Sequence, residues 1–378
     1  MSATAVGAPL LNTYARADVT FVSGNGSWLV DNTGRRYLDL VAGIAVVGLG
    51  HRHPAPLAAA HAQLDRLWHV SNLYWTEPMT RLAELLSERF GGAQSFFCNS
   101  GAEAAEAALK YARKATGKPG VVALENSFHG RTMGALAATG QPTKRAAFEP
   151  LIGSVTFARL NDTSTLARAV GDDTACILLE PIQGEGGIHP ATIPFLEKAR
   201  ELADAHGALL VFDEVQTGMG RTGSFFAWER LGVKPDAVTL AKGLANGLPI
   251  GALLVSSEAA GGFEPGDHGS TFGGNPVASA AACAVVDTLT AELLADVARK
   301  GAELAARLER LPSVVEVRGA GLLLGVEIDH VARDVIAQCL ERGVVVGSAG
   351  ERVLRLTPPL TITDQELEQS LGVLEEVL

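Results

Sequence analysis

Cysteine is scarce and scattered in this chain. It has only four, Cys98, Cys176, Cys283 and Cys339, with no C-x-x-C among them. That spacing excludes a disulfide framework and a cysteine metal cage. Cys98 and Cys176 sit in apolar, strand-like runs and read as buried small hydrophobes. Positive charge is also in deficit, with 31 Lys and Arg against 42 Asp and Glu and a net charge of −11. Binding to nucleic acid or to an anionic membrane relies on clustered cations, so both are excluded as partners. A small anionic substrate is not, because a few local arginines can dominate a cleft. No apolar run approaches the ~20 residues of a membrane span. The N-terminus shows no basic region followed by an apolar stretch, so the expected location is cytoplasmic. Internal repeats and low-complexity segments are lacking too.

What remains is 378 residues, 47% hydrophobic and only 19% charged, enough for a large core and more than one domain. Short apolar runs at Val121–Leu124, Cys176–Glu180, Ala208–Asp213, Ala237–Ala241 and Gly251–Val255 read as buried strands. Between two of them Ile193, Leu196, Ala199, Leu202 and Ala203 recur at helical spacing. Strand alternating with helix predicts an α/β fold around a mostly parallel sheet with right-handed crossovers. Asp31-Asn32-Thr33-Gly34, between Ser27–Val30 and Arg36–Leu40, predicts a hairpin. The main break in composition is the Gly-rich stretch Gly261–Gly274; beyond it, short strands near Val314–Val317, Leu322–Ile328 and Val353–Leu356 suggest a smaller α+β domain. The expected division is a segment 1–45 packing with the small domain, a large domain 46–265 and the small domain 266–378.

Lys242 carries the most information. It follows the apolar run Val238-Thr239-Leu240-Ala241 and precedes the turn Gly243-Leu244-Ala245-Asn246-Gly247. A desolvated lysine there favours its neutral amine, a nucleophile able to form a Schiff base with an aldehyde such as pyridoxal phosphate (PLP). Upstream, the run Leu209-Leu210-Val211-Phe212 ends in Asp213-Glu214. Ligands of open α/β sheets sit at strand carboxyl ends, and a carboxylate against the pyridine nitrogen tunes PLP as an electron sink. The plainer role for such a pair is to cap the next turn. Ser100 and Glu103 have capping-box spacing ahead of an Ala-rich helix that Gly117 and Pro119 end. The helix start Ser100-Gly101-Ala102 offers free N–H groups for a phosphate.

Six motifs then occur in order: Asn99-Ser100-Gly101-Ala102-Glu103-Ala104, Ser127-Phe128-His129-Gly130-Arg131-Thr132, Glu180-Pro181-Ile182-Gln183-Gly184-Glu185-Gly186-Gly187, Asp213-Glu214-Val215-Gln216, Lys242, and Gly269-Ser270-Thr271-Phe272-Gly273-Gly274-Asn275-Pro276. On these the chain resembles the class III PLP-dependent aminotransferases, most of all their acetylornithine branch. The likeness runs from about Asn12-Thr13-Tyr14 to Arg355-Leu356-Thr357-Pro358-Pro359-Leu360. It implies the PLP-dependent transferase fold type I. It also implies that Lys242 holds PLP and shuttles the proton of a 1,3-shift, with Asp213 pairing with the pyridine nitrogen. Gln216 would meet the ring hydroxyl, Val215 and Phe128 would sandwich the ring, and Ser100, Gly101 and Ala102 would form the phosphate end. Thr271 would reach the phosphate of a neighbouring subunit, which implies a homodimer.

By the same resemblance Arg131 takes a carboxylate remote from the reacting amine, and Arg355 clamps the second carboxylate found only in glutamate and 2-oxoglutarate. Glu185 would cover Arg355 when the other substrate is bound. Tyr14 and Ser270 join the substrate site. The implied reaction moves the δ-amine of N2-acetylornithine to 2-oxoglutarate. Ile44, where ornithine aminotransferases carry a tyrosine, leaves no hydroxyl for a free α-amine and suits an N-acylated substrate; Val47-Gly48 departs from the branch's usual asparagine before a small residue. Succinylornithine, succinyl-diaminopimelate, ornithine and 4-aminobutyrate stay open as substrates, as do aminomutase or decarboxylase chemistry and a non-catalytic PLP-binding role.

Three other signals read as structural. Val317-Arg318-Gly319-Ala320-Gly321 resembles a dinucleotide turn, but Leu322–Val326 after it reads as a strand where that fingerprint needs a helix. His51 and His53 lack a convergent third metal ligand and read as structural or close to the site. His129 reads as a ring-packing neighbour of Phe128.

Overall fold

A computed structural model describes residues 9–378, so the first eight residues of the 1–45 segment lie outside it. The chain opens with a hairpin and a third strand, β1 (Phe21–Asn25), β2 (Trp28–Asp31) and β3 (Arg36–Asp39), all antiparallel. Asp31 makes the β2–β3 turn, its Oδ1 accepting from the backbone N–H groups of Thr33 (2.8 Å) and Arg35 (3.0 Å). Such an Asx turn is what Asp-Asn-Thr-Gly provides.

The middle of the chain builds a seven-stranded sheet from β4 (Ala93–Cys98), β5 (Gly120–Leu124), β6 (Val155–Ala158), β7 (Thr174–Leu179), β10 (Leu209–Asp213), β11 (Ala237–Leu240) and β12 (Gly251–Ser256). A two-stranded ribbon, β8 (Ile182–Gln183) and β9 (His189–Pro190), lies between β7 and β10 in the chain. The order across the sheet is β4-β12-β11-β10-β7-β5-β6. β12 alone runs against the others, antiparallel to both β11 and β4. β5, β7, β10, β11 and β12 are buried throughout or nearly so, the pattern of a sheet covered on both faces.

Two covering helices show how local sequence sets the frame. Helix Gly101–Thr116 starts at the Ser100 cap, whose Oγ accepts from Glu103 N–H (3.2 Å), and ends at Gly117 in the left-handed conformation (φ +71°). The Glu103 carboxylate accepts from Asn99 N–H, one residue earlier than a standard capping box. Helix Ile193–Ala205 buries Phe195, Leu196, Ala199, Leu202 and Ala203, while Ile193, expected on the same face, is 47% exposed in the first turn.

The C-terminal part forms a second sheet from β13 (Val314–Ala320), β14 (Leu323–Ile328), β16 (Gly347–Ser348) and β17 (Val353–Leu356), in the order β13-β14-β17-β16. β13 and β14 are an antiparallel pair, so the Gly319–Gly321 turn is a hairpin, not a nucleotide loop. β15 (Val344–Val345) pairs in parallel with β3, joining the start of the chain to its end. Helix Pro276–Thr288 packs on helices Pro54–Leu64 and Glu77–Phe90. All four cysteines are free, and Cys98, Cys176 and Cys339 are buried. Among the described residues no single helix is long and apolar enough to cross a membrane, and no cluster of metal-ligating side chains exists.

Candidate active site

β4, β5, β7, β10 and β11 all end on one side of the large sheet, and the residues that leave them line a cleft of about 480 Å³. Ser100, Gly101 and Ala102 follow β4; Phe128, His129, Gly130 and Arg131 follow β5; Glu180 and Glu185 follow β7. Asp213, Val215 and Gln216 come from the end of β10, and Ala241 and Lys242 from that of β11. Strand carboxyl ends are where open α/β sheets bind ligands. Glu180 and Ala241, read from sequence as strand ends, lie one residue past β7 and β11, where the chain turns into the cleft.

Neighbouring strand residues point to opposite faces, and this splits the pair Asp213-Glu214 into two roles. Glu214 turns inward and accepts from the N–H groups of Ala227 (2.8 Å) and Trp228 (3.1 Å) and from the Thr217 hydroxyl (3.0 Å). It anchors the following loop. Asp213 faces the cleft. Its Oδ1 accepts from Val215 N–H (3.1 Å) and from Thr239 Oγ1 (3.1 Å), the residue opposite it in the parallel β10–β11 register. Its Oδ2 lies 2.7 Å from His129 Nδ1.

His129 is thus more than a packing neighbour of Phe128. Burial works against its protonation, but the Asp213 bond and charge outweigh this and raise its pKa above the ordinary histidine value. Its Nε2 is buried and has no partner among the described residues. Glu180 is buried beside it, accepting from Phe128 N–H (2.8 Å) and Gly184 N–H (2.9 Å), and burial pushes its carboxyl up to about 7. No spacing rule marks Glu180, Thr239 or the His129–Asp213 contact, because each depends on which strands are neighbours.

Lys242 follows β11 with a left-handed backbone (φ +43°), rare for a residue with a side chain. Burial lowers its ammonium to about 8, with Glu185 and Asp213 opposing the shift and Arg355 adding to it. A lysine so perturbed, in a cleft, is a functional candidate.

Arg355, on β17 of the second sheet, reaches the cleft's rim with only 4% exposure. Its Nη1 donates to Gly184 O (3.1 Å), to Gln216 Oε1 (3.4 Å) and to the Glu185 carboxylate, with which it forms an ion pair. Glu185 is partly buried, which alone would raise its pKa; the Arg355 charge and hydrogen bond prevail and hold it below the usual carboxylate range. Arg131 is exposed on the opposite stretch of lining, its guanidinium 5.7 Å from the Phe128 ring centre.

Gly101 is required by close approach: a Cβ there would lie 2.8 Å from Val215 Cγ1. Its N–H and that of Ala102, in the first turn of a helix, have no intrahelical acceptor. Ser270 Oγ accepts from Asn99 Nδ2 (3.1 Å), holding the Gly-rich loop near the cleft. Thr271 and Tyr14 are exposed and do not line the cleft; the Tyr14 ring lies under Arg16 (5.4 Å). Ile44, also left-handed (φ +65°), is 41% exposed, two residues before the cleft-lining Val46. His51 bonds Asp39 (2.8 Å) and His53 caps helix Pro54–Leu64, both structural roles.

The chain is similar to known proteins along nearly its whole length. Residues 12–378 match the family model for class-III aminotransferases. The chain is 51% identical to the acetylornithine aminotransferase of Corynebacterium efficiens over 98% of its own length and 94% of that protein. Among solved structures, it is similar to the N-acetylornithine aminotransferase of Stenotrophomonas maltophilia (TM-score 0.84, 38% identity, 96% of each chain covered). It is also similar to the ornithine aminotransferase of Toxoplasma gondii, which has PLP at partial occupancy in its active site (TM-score 0.93, 32% identity, 98% of this chain and 92% of that one). PLP is the cofactor of these enzymes, and the cleft suits it. Open helix N–H groups next to a position where a Cβ would clash, a carboxylate on the strand end and a deprotonation-prone amine are the donor set its phosphate, ring nitrogen and aldehyde require. From its full-length sequence match and its fold, the chain belongs to the class-III aminotransferase family of PLP-dependent enzymes.

Proposed function

We propose that this enzyme transfers the δ-amino group of N2-acetylornithine to 2-oxoglutarate, giving N-acetylglutamate 5-semialdehyde and glutamate, reversibly, in arginine biosynthesis. The observation that carries the reading is the Arg355–Glu185 pair beside Lys242: a buried arginine whose only carboxylate partner among the described residues can be exchanged for a substrate's. An unpaired buried charge is costly, so Glu185 covers Arg355 while the amine donor, which has one carboxylate, is bound. A dicarboxylate displaces Glu185 and takes its place. Arg131 binds the carboxylate common to both substrates, and the planar guanidinium suits a two-point grip.

The residues that would hold PLP are Lys242 at its aldehyde, Asp213 at its ring nitrogen, Gln216 at its hydroxyl, Val215 and Phe128 on its ring, and Ser100, Gly101 and Ala102 at its phosphate. When bound, PLP supplies the sink for the electron pair left as a proton leaves the substrate carbon. Lys242 Nζ, whose ammonium burial lowers to about 8, takes that proton and returns it one bond further along, general base and then general acid. The Asp213 carboxylate would meet the ring nitrogen, and His129, bonded to Oδ2, positions it.

A homodimer completes the site, with Thr271 serving the partner's cleft. The exposure of Trp68 (69%), Leu73 (85%), Tyr74 (65%), Trp75 (88%) and Phe272 (58%) supports association through this side, since a lone protein rarely exposes such a patch. Four free cysteines fit a reducing cytoplasm. The test is kcat/KM of purified PLP-loaded enzyme with 2-oxoglutarate and, side by side, N-acetylornithine, N-succinylornithine, N-succinyl-diaminopimelate, ornithine and 4-aminobutyrate. A clear preference for N-acetylornithine supports the reading and the role of Ile44; preference for ornithine or 4-aminobutyrate refutes the substrate.

A further inference from the structure

One cation beside the cleft takes no part in the proposed reaction. Lys144 sits on the short helix Pro142–Arg145, half-buried, with its Nζ 4.8 Å from the Phe128 ring centre. The same ring has the Arg131 guanidinium at 5.7 Å. Phe128 and Arg131 line the cleft and Lys144 lies just outside that lining, so two positive charges meet at one ring of its wall. Neither Lys144 nor Arg131 has a carboxylate within ion-pair distance among the described residues, in contrast to Arg355 with Glu185. A cation held against an aromatic face gains from the ring quadrupole, but a pair of like charges on one ring repel each other without an anion between them.

The backbone under Lys144 is fixed. Gln141, just ahead of the helix, donates through Nε2 to Asn126 O (3.1 Å) and Ser127 O (3.3 Å), tying it to the loop that carries Phe128. The charges that face Lys144 from the surrounding elements are Glu185, Arg131, Arg355 and Glu180. Burial lowers its pKa, Glu185 opposes this, and Arg131 and Arg355 lower it further. An incoming anion relieves that strain.

We infer that Lys144 is a second cation of the remote-carboxylate site, acting with Arg131 on the carboxylate of the amine donor and on the matching one of 2-oxoglutarate. Resting on the substrate reading above, it makes Lys144 a specificity residue: it selects amines that carry a carboxylate over amines that do not. Both side chains are long and free of existing ion pairs, so closing on a substrate carboxylate costs rotamer freedom but breaks no salt bridge.

The test compares N-acetylornithine with N-acetylputrescine, the same molecule without its carboxylate, in wild type, Lys144→Met and Lys144→Arg. Methionine keeps the stem over Phe128 and removes the charge. A partly exposed charge-assisted contact is worth about a tenfold preference. The ratio of kcat/KM for the two amines therefore falls about tenfold in Lys144→Met and is kept by Lys144→Arg. An unchanged ratio in Lys144→Met overturns the inference, and so does an equal loss in Lys144→Arg. Calorimetric titration of the holoenzyme with glutarate separates this from the substrate reading. If the wild type used neither amine, the substrate reading would fail, and glutarate affinity would still decide on Lys144: about tenfold weaker in Lys144→Met supports it, unchanged affinity sinks it.

Discussion

Replacing Glu185 by Gln tests the two-substrate clamp directly. The change keeps the shape of the side chain and removes its charge. Arg355 is then left with neutral partners only, the new amide oxygen, Gly184 O and Gln216 Oε1, at 4% exposure. A charge-assisted hydrogen bond in such surroundings contributes about 1.5–3 kcal/mol. On the proposed clamp, glutamate and 2-oxoglutarate displace that contact in the wild type before Arg355 binds their second carboxylate. In Glu185→Gln they need not, whereas N-acetylornithine has no carboxylate to offer Arg355 in either protein. The preference for glutamate over N-acetylornithine therefore rises by a factor on the order of 10 to 150. Single-turnover half-reactions, each amine mixed with holoenzyme and followed through the cofactor's visible absorbance, measure the two directions separately. If both half-reactions change by the same factor, or neither changes, Glu185 is not the removable cover of Arg355 and the clamp is wrong.

Two further outcomes follow from the cofactor cradle. Burial lowers Lys242 to about 8, and only its neutral amine can capture an aldehyde, so the rate of PLP capture by the cofactor-free protein climbs about tenfold per pH unit below that value and levels off above it; stopped-flow absorbance from pH 6 to 9.5 reads this, and a flat profile would show that the lysine is not the titrating group. Gly101→Ala puts a Cβ 2.8 Å from Val215 Cγ1 and 3.0 Å from Cγ2, an overpacking that costs about 1–3 kcal/mol. Its Tm falls and its PLP Kd rises together; an unaltered Kd would mean that the helix start is not the phosphate seat.

How much of this was readable beforehand depends on the range over which each feature is determined. Strand cores such as Val121–Leu124 and Ala208–Asp213 and the helix between Ser100 and Gly117 were legible because burial patterns and caps act over a few residues. The direction of β12 was not, since a strand buried on both faces looks the same in either sense. β6, only partly buried and four residues long, has too weak a pattern to be found.

Sequence by itself determined the chemistry on offer: an amine after one strand, a carboxylate at the end of another, a helix start with open N–H groups, and arginines at positions 131 and 355. Their types and local settings are fixed by the chain over stretches of a few residues. Tertiary structure alone decided which of them meet. His129 reaches Asp213 across 84 positions, and Arg355 reaches Gln216 across 139 and Glu185 across 170. Which of the two adjacent acids, Asp213 or Glu214, faces the cleft was decided there as well. Such contacts depend on strand order, register and the docking of the second sheet against the first. These are settled by the packing of the whole core, and no local pattern in the sequence encodes them.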